Sequence, residues 1–226
     1  MLDLARRGGI ELRAHTPVSA WGASSQGAWV QTPDGRYDTD ALIITAGAWS
    51  GRILQQLGLP LTVQRKVLWW LAVDNPTLYA PACFPVFITD SVHGEVYGFP
   101  IHQQPGFKIA NHAGGDPTDP DHVERAVRDD EKQDVMGLAS WFFTGVKAHV
   151  VRSAVCLYTR TPDTHFILDR HPEWPHVVLG AGFSGHGFKF TPAIGEHLVA
   201  LALDRDVAPQ PLFMLDRFAG VDRARA

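Results

Sequence analysis

Apolar and polar positions along this chain change period several times, and those changes divide it. Met1–Arg7 reads as the end of a helix, closed by Gly8-Gly9, a helix-stop signal. Ile10–Thr16 and Val18–Ala23 read as strands separated at Pro17, and Ala28–Thr32 leads into the turn Pro33-Asp34-Gly35. Tyr37 and then Ala41–Ala46 continue that sheet. The run Ala41-Leu-Ile-Ile-Thr-Ala46 is apolar on both faces and predicts a buried central strand, followed through Gly47 by a helix over Ala48–Gly58.

From Pro60 the pattern becomes that of an antiparallel block. Leu61–Val73, Phe84–Thr89, Glu95–Phe99 and Gly106–His112 read as strands joined by Pro- and Gly-marked turns. Asp119–Phe143 is the one long helical stretch, opened by Asp119-Pro120 as cap and first-turn proline. Val150–Thr159, His165–Leu168 and Val177–Leu179 return to strand. Thr191–Leu203 carries Ile194, Leu198 and Leu201 at helical spacing, and the tail after Asp206 reads as loop.

The expected fold is α/β with mixed α+β character: a partial Rossmann-like part from both chain ends, interleaved with an antiparallel-sheet domain. Its boundaries are expected at 1–66 plus 150–226 and at 67–149.

Composition narrows the classes. With 226 residues, 45% of them apolar, the chain can bury a sizeable core. Twenty basic against 24 acidic side chains leave a net charge of −4, which offers no polybasic surface for nucleic acid or anionic lipid. No apolar run reaches membrane-span length and the N-terminus lacks a secretory signal, so a soluble, cytoplasmic protein is expected. Cys83 and Cys156 stand 73 residues apart and match neither a disulfide framework nor a zinc site; no metal is expected.

Gly180-Ala-Gly-Phe-Ser-Gly185 matches G-x-G-x-x-G after an apolar strand. Three readings stay open. It is a dinucleotide fingerprint, although too few residues follow for a second parallel strand; or a turn needing glycine only for close packing; or a run that brings backbone close to a flat cofactor. His186 and Lys189, set among Gly187, Phe188 and Phe190, favour the third.

At these residues the chain resembles the monomeric sarcosine oxidase and N-methyl-tryptophan oxidase family. Gly180–Phe190 is similar to its C-terminal flavin motif, and Ala154–Thr159 to its covalent-flavin segment, followed by the matching Thr164–Asp169. Tyr97–Pro100, Phe107–His112 and Thr45–Trp49 fall in the family's order. The resemblance implies FAD, bound covalently through Cys156, with Val18, Gly47, Trp49, Gly182, Phe183, Gly185, His186 and Gly187 around it. It implies Lys189 as the grip on a substrate carboxylate, Lys108 as the cation for oxygen activation, and His112, Tyr97 and Tyr158 at the substrate. It further implies oxidation of a small secondary amino acid by O2, giving peroxide.

The residue chemistry accords with those roles. A thiolate is a natural nucleophile for flavin attachment, and a fixed cation stabilises charge developing on oxygen. The family's opening strand, G-x-G-x-x-G turn and helix have no counterpart before residue 10. Two readings stay open: an oxidase as the family pattern implies, or a truncated, non-catalytic fragment that binds FAD only with a missing N-terminal part or partner chain; either can associate through exposed sheet edges.

Overall fold

A computed structural model describes residues 1–219. In chain order the first elements are α1 (Leu2–Arg7), β1 (Ala20–Ser24), β2 (Gly27–Thr32), β3 (Gly35–Thr39), β4 (Leu42–Ile44) and α2 (Ser50–Ile53). There follow β5 (Thr62–Val73), β6 (Phe87–Ser91), β7 (Gly94–Phe99), β8 (Phe107–Asn111) and β9 (Asp116–Pro117). The chain continues with α3 (Asp129–Phe142), β10 (Val146–Arg160), β11 (Ile167–Arg170), β12 (Val177–Ala181) and α4 (Thr191–Ala202).

Two compact units result. One comprises Met1–Leu59, His165–Ala181 and the described residues from Lys189 on; the other comprises Pro60–Thr164 and Gly182–Phe188. The changeovers thus fall at 59/60, 164/165, 181/182 and 188/189, whereas the sequence suggested 66/67 and 149/150. The reason is pairing: β5 and β10 run antiparallel from Thr62–Arg160 to Val73–Val146, in unbroken register from Arg160 to Arg152 and with register shifts beyond, and this shared ladder keeps both strands in the same unit.

In the first unit β1, β2 and β3 form an antiparallel meander, while β4 lies parallel to β12 and β12 antiparallel to β11. All five residues of β12 are buried, and α4 packs on β4, β11 and β12. Ala28, Ile44, Leu54, Val177 and Leu179 make the core.

Several expectations fail here for local reasons. Ile10–Thr16 is not a strand, because His15 takes φ +56° and turns the chain. The strand expected at the centre is three residues long and borders its sheet, with Ile43 36% exposed. It also belongs to a different sheet from Tyr37. The helix expected over Ala48–Gly58 is broken into α2 flanked by 3₁₀ turns at Gly47–Trp49 and Gln55–Leu57.

The second unit holds a sheet in the order β10-β5-β8-β7-β6, antiparallel at every pairing, with β9 beside β5. Residues opposite one another across such pairs share a face. Trp69–Ile109–Gly98 and Leu71–Phe107 define one face, on which α3 packs to close a core of Trp69, Leu71, Val73, Tyr79, Val96, Phe107, Ile109, Val135 and Ala139.

The helix starts at Asp129 instead of Asp119 because Asp119 caps a local turn, accepting from the Asp121 amide at 2.9 Å. The working cap is Arg128, whose amide donates to Glu131 at 2.8 Å, with three acidic residues in the first turn, a favourable charge for that helix end. Among the described residues no helix is long and apolar enough to cross a membrane.

Candidate functional site

The other face of the six-stranded sheet carries the chemistry. Cys156 on β10 stands opposite Lys66 on β5, and Tyr158 opposite Gln64. Trp70, Lys108 and Phe99 form a row across β5, β8 and β7, and Tyr97 stands opposite Ala110. Period-2 alternation therefore places Cys156, Tyr158, Lys66, Lys108, Tyr97 and, one step past β8, His112 together.

Three of these side chains form a chain of contacts. The Tyr158 hydroxyl donates to the Tyr97 hydroxyl at 3.3 Å and lies 3.4 Å from His112 Nδ1. With the Tyr158 proton directed to Tyr97, the Nδ1–H tautomer of His112 is the one that donates to Tyr158. His186 stands 6.5 Å from His112, centroid to centroid. Its Nε2 meets the Thr164 carbonyl at 3.1 Å, so that nitrogen carries the proton.

Lys108 is held between rings, its ammonium 4.9 Å from Phe99 and 5.2 Å from Trp70, within cation–π range. Arg152 stacks on the other neighbour, 4.8 Å from the Trp70 ring. Lys66, which sequence reasoning missed, is 5% exposed and lies 5.2 Å from the Tyr158 ring.

Burial sets the electrostatics, since it disfavours the charged form of each group. Burial first, then Arg160, holds the Lys66 ammonium down to about 8, against Cys156 and Glu95. Burial also lowers Lys108, aided by Arg152 and opposed by Cys156. His112 is lowered by burial and by Lys66, His186 and Arg160, with Glu95 opposing. The Cys156 thiol is pushed up by burial, and Lys108, Lys66 and Arg125 pull it back. Both tyrosines are raised by burial, Tyr158 further by donating to Tyr97.

The glycine motif does not behave as a phosphate-cradling strand–turn–helix. After β12 the chain enters Gly182 (φ +63°), Ser184 (φ +48°) and Gly185 (φ +83°), and α4 begins only at Thr191. The Ser184 amide donates to the Thr159 carbonyl at 2.9 Å, so this loop lies along the end of β10. A Cβ on Gly185 would enter the Tyr158 ring, and one on Gly187 would come within 2.7 Å of the half-buried Phe183. Close approach is what the glycines provide here.

Lys189, Val18, Gly47 and Trp49 belong to the other unit. There Lys189 is exposed, 5.2 Å from the Phe190 ring; Val18 and Trp49 are 42% and 43% exposed, and Gly47 takes φ +56°.

The sheet thus packs α3 on one face and carries a cysteine, two ammoniums and two tyrosines on the other, and comparison with known proteins gives this arrangement a family. A family model described as FAD dependent oxidoreductase matches residues 1–201. The monomeric sarcosine oxidase of Bacillus sp. (strain B-0618) is 37% identical over 205 residues, covering 89% of this chain and 53% of that protein. The N-methyl-L-tryptophan oxidase of Yersinia pestis (strain Pestoides F) is 32% identical over 231 residues, covering 96% and 58%. Among solved structures, the amino acid oxidase NikD superposes with a TM-score of 0.77 at 22% identity, covering 94% of this chain and 57% of NikD.

The chain belongs to the FAD-dependent oxidoreductase family. It spans about half the length of the curated relatives it matches.

The residues of this face fit FAD. Cys156 is half-buried; burial pushes its thiol up, and Lys108, Lys66 and Arg125 offset part of that rise, so these cations are what would assist a thiolate there. At Gly185 and Gly187 the adjoining loop closes on the Tyr158 and Phe183 side chains, which brings it against the face that carries Cys156 and Tyr158.

Proposed function

We propose that this chain carries the substrate half of an FAD-dependent oxidase acting on N-methyl or cyclic secondary amino acids. Bound FAD would supply the redox chemistry, taking a hydride from the amine and passing two electrons to O2 to give H2O2. The observation behind this reading is the gathering of Cys156, Lys108, His112, Tyr97 and Tyr158 on one sheet face.

In this reading Cys156 is the covalent attachment point, and Gly182, Phe183, Gly185, His186 and Gly187 border the cofactor. The Lys108 ammonium stabilises negative charge developing on oxygen. Its ring neighbours Trp70 and Phe99 fix its position, and a fixed cation needs no reorganisation as that charge develops. His112 and the hydroxyls of Tyr158 and Tyr97 orient the amino acid. His112, kept uncharged by burial and its cationic neighbours, does not repel a substrate ammonium. Lys189 is assigned the substrate carboxylate, a task suited to a compact ammonium. Val18, Gly47 and Trp49 are assigned to the distant half of FAD.

The test is purified protein challenged with sarcosine, N-methyltryptophan and L-proline while flavin absorbance is followed without oxygen. Bleaching by a secondary amino acid, and peroxide on admitting air, are expected; no bleaching by any of them would refute the reading. A second reading, in which flavin is held only together with another polypeptide segment, is favoured by the half-length match to relatives. It predicts colour only when that segment is co-expressed.

A further inference from the structure

Lys66 stands at the middle of the candidate site, yet none of the roles above uses it. Beyond β8 the chain runs His112-Ala113-Gly114-Gly115, with Gly114 at φ +62° and Gly115 at φ +109°, and three successive carbonyls there turn toward one point. Lys66 Nζ occupies it, donating to the carbonyls of His112 at 3.1 Å, Ala113 at 2.6 Å and Gly114 at 2.8 Å. An ammonium has three donors and no acceptor, so its capacity is filled.

The turn is pinned from the other side as well. The His112 amide donates to the Glu95 carbonyl at 2.7 Å, and the Ala113 amide to Asn111 Oδ1 at 3.0 Å. The lysine stem passes where a Cβ on Gly115 would stand 2.7 Å from Lys66 Cδ, so glycine is required for the ammonium to reach the carbonyls.

We propose that Lys66 is a positioning residue: by gathering the His112, Ala113 and Gly114 carbonyls onto one buried ammonium, it sets the His112 imidazole against the Tyr158–Tyr97 hydroxyl pair. The proposal rests on the reading of this face as the amino acid site. The charged and titratable groups acting on Lys66 are Arg160 and Cys156 from β10 and Glu95 from β7; burial first, then Lys66, His186 and Arg160, hold His112 toward its neutral form against Glu95. Lys66 therefore acts on His112 in two ways: through the backbone it fixes and through its charge.

The test uses the flavin-loaded full chain with Lys66→Met, Lys66→Gln, His112→Ala and the Lys66→Met/His112→Ala double variant. Histidine NMR should show His112 titrating at higher pH in Lys66→Met and Lys66→Gln, because a neighbouring cation is gone. Anaerobic flavin reduction by the best amino acid should fall about tenfold in Lys66→Met. In Lys66→Gln, whose amide still donates to two carbonyls, it should fall less. The double variant should be no slower than His112→Ala alone, since the two residues act as a unit.

Additive losses in the double variant, or an unmoved His112 titration, would overturn the proposal. Should Lys66→Met not fold, the Lys66→Gln titration decides. If His112→Ala leaves reduction unchanged while the titration still moves, the assignment of the amino acid site fails and the hold of Lys66 on His112 stands.

Discussion

Lys108 and Ile109 are neighbours on β8, and they belong to two different regions of the molecule. Ile109 faces α3 and is fully buried; Lys108 faces the opposite way, among Trp70, Phe99 and Arg152. The same division runs through β5, where Trp69 and Leu71 enter the core while Lys66 and Trp70 lie on the other face. One face is made by burying hydrocarbon, the other by partly burying charge. The first kind stabilises the fold and the second costs stability, which explains why Lys66, Lys108 and His112 are all shifted toward their neutral forms on that face.

Adjacent substitutions should therefore separate stability from chemistry. Ile109→Ala should cost about 2–5 kcal/mol through lost burial and a cavity, read as a lowered denaturation midpoint, while flavin bound to surviving protein keeps its spectrum. Lys108→Met should leave the midpoint nearly unchanged and leave anaerobic reduction intact. It should slow reoxidation by oxygen on the order of a hundredfold, measured by stopped flow. A midpoint loss in Lys108→Met as large as in Ile109→Ala would erase the distinction between the faces.

Gly185→Ala probes the boundary of the site face. Positive φ and the encroached Tyr158 ring should together cost on the order of 1–3 kcal/mol, and a wild-type melting curve would show that the loop yields freely.

The smallest effect is a slope. The folded pKa of Lys66, about 8 against an ordinary 10.5, means that between those values the unfolded chain binds a proton the folded chain has released. Stability then rises with pH in that window. Wild type should gain on Lys66→Met between pH 8 and 10, by urea midpoints; a constant difference would mean that Lys66 titrates normally.

The sequence showed these regions unequally. The antiparallel block was readable because period-2 alternation, as in Phe107-Lys108-Ile109, survives the half-buried strands that produce it. Its strands were found within a few residues. Lys66 escaped notice because Arg65-Lys66 looks like an ordinary solvated pair. Arg65 in fact turns to Glu131 and the Glu124 and Ala126 carbonyls, and Lys66 to the turn after β8. Only the β5–β10 register, which puts Lys66 opposite Cys156, reveals the second. The late start of α3 was hidden for a related reason: the bond from the Asp121 amide to the Asp119 carboxylate overrode propensity. Residue roles came from resemblance to the oxidase family, and the structure adds which of them share a face.

The central claim is that the polar face of this sheet is a flavin face with Cys156 at its attachment point. The most direct measurement is acid precipitation of the flavin-loaded chain, wild type and Cys156→Ser, with visible absorbance read in pellet and supernatant. Wild-type flavin should stay with the pellet, and flavin from Cys156→Ser should leave with the supernatant. Flavin retained in the Cys156→Ser pellet, or released entirely from wild type, would contradict the account.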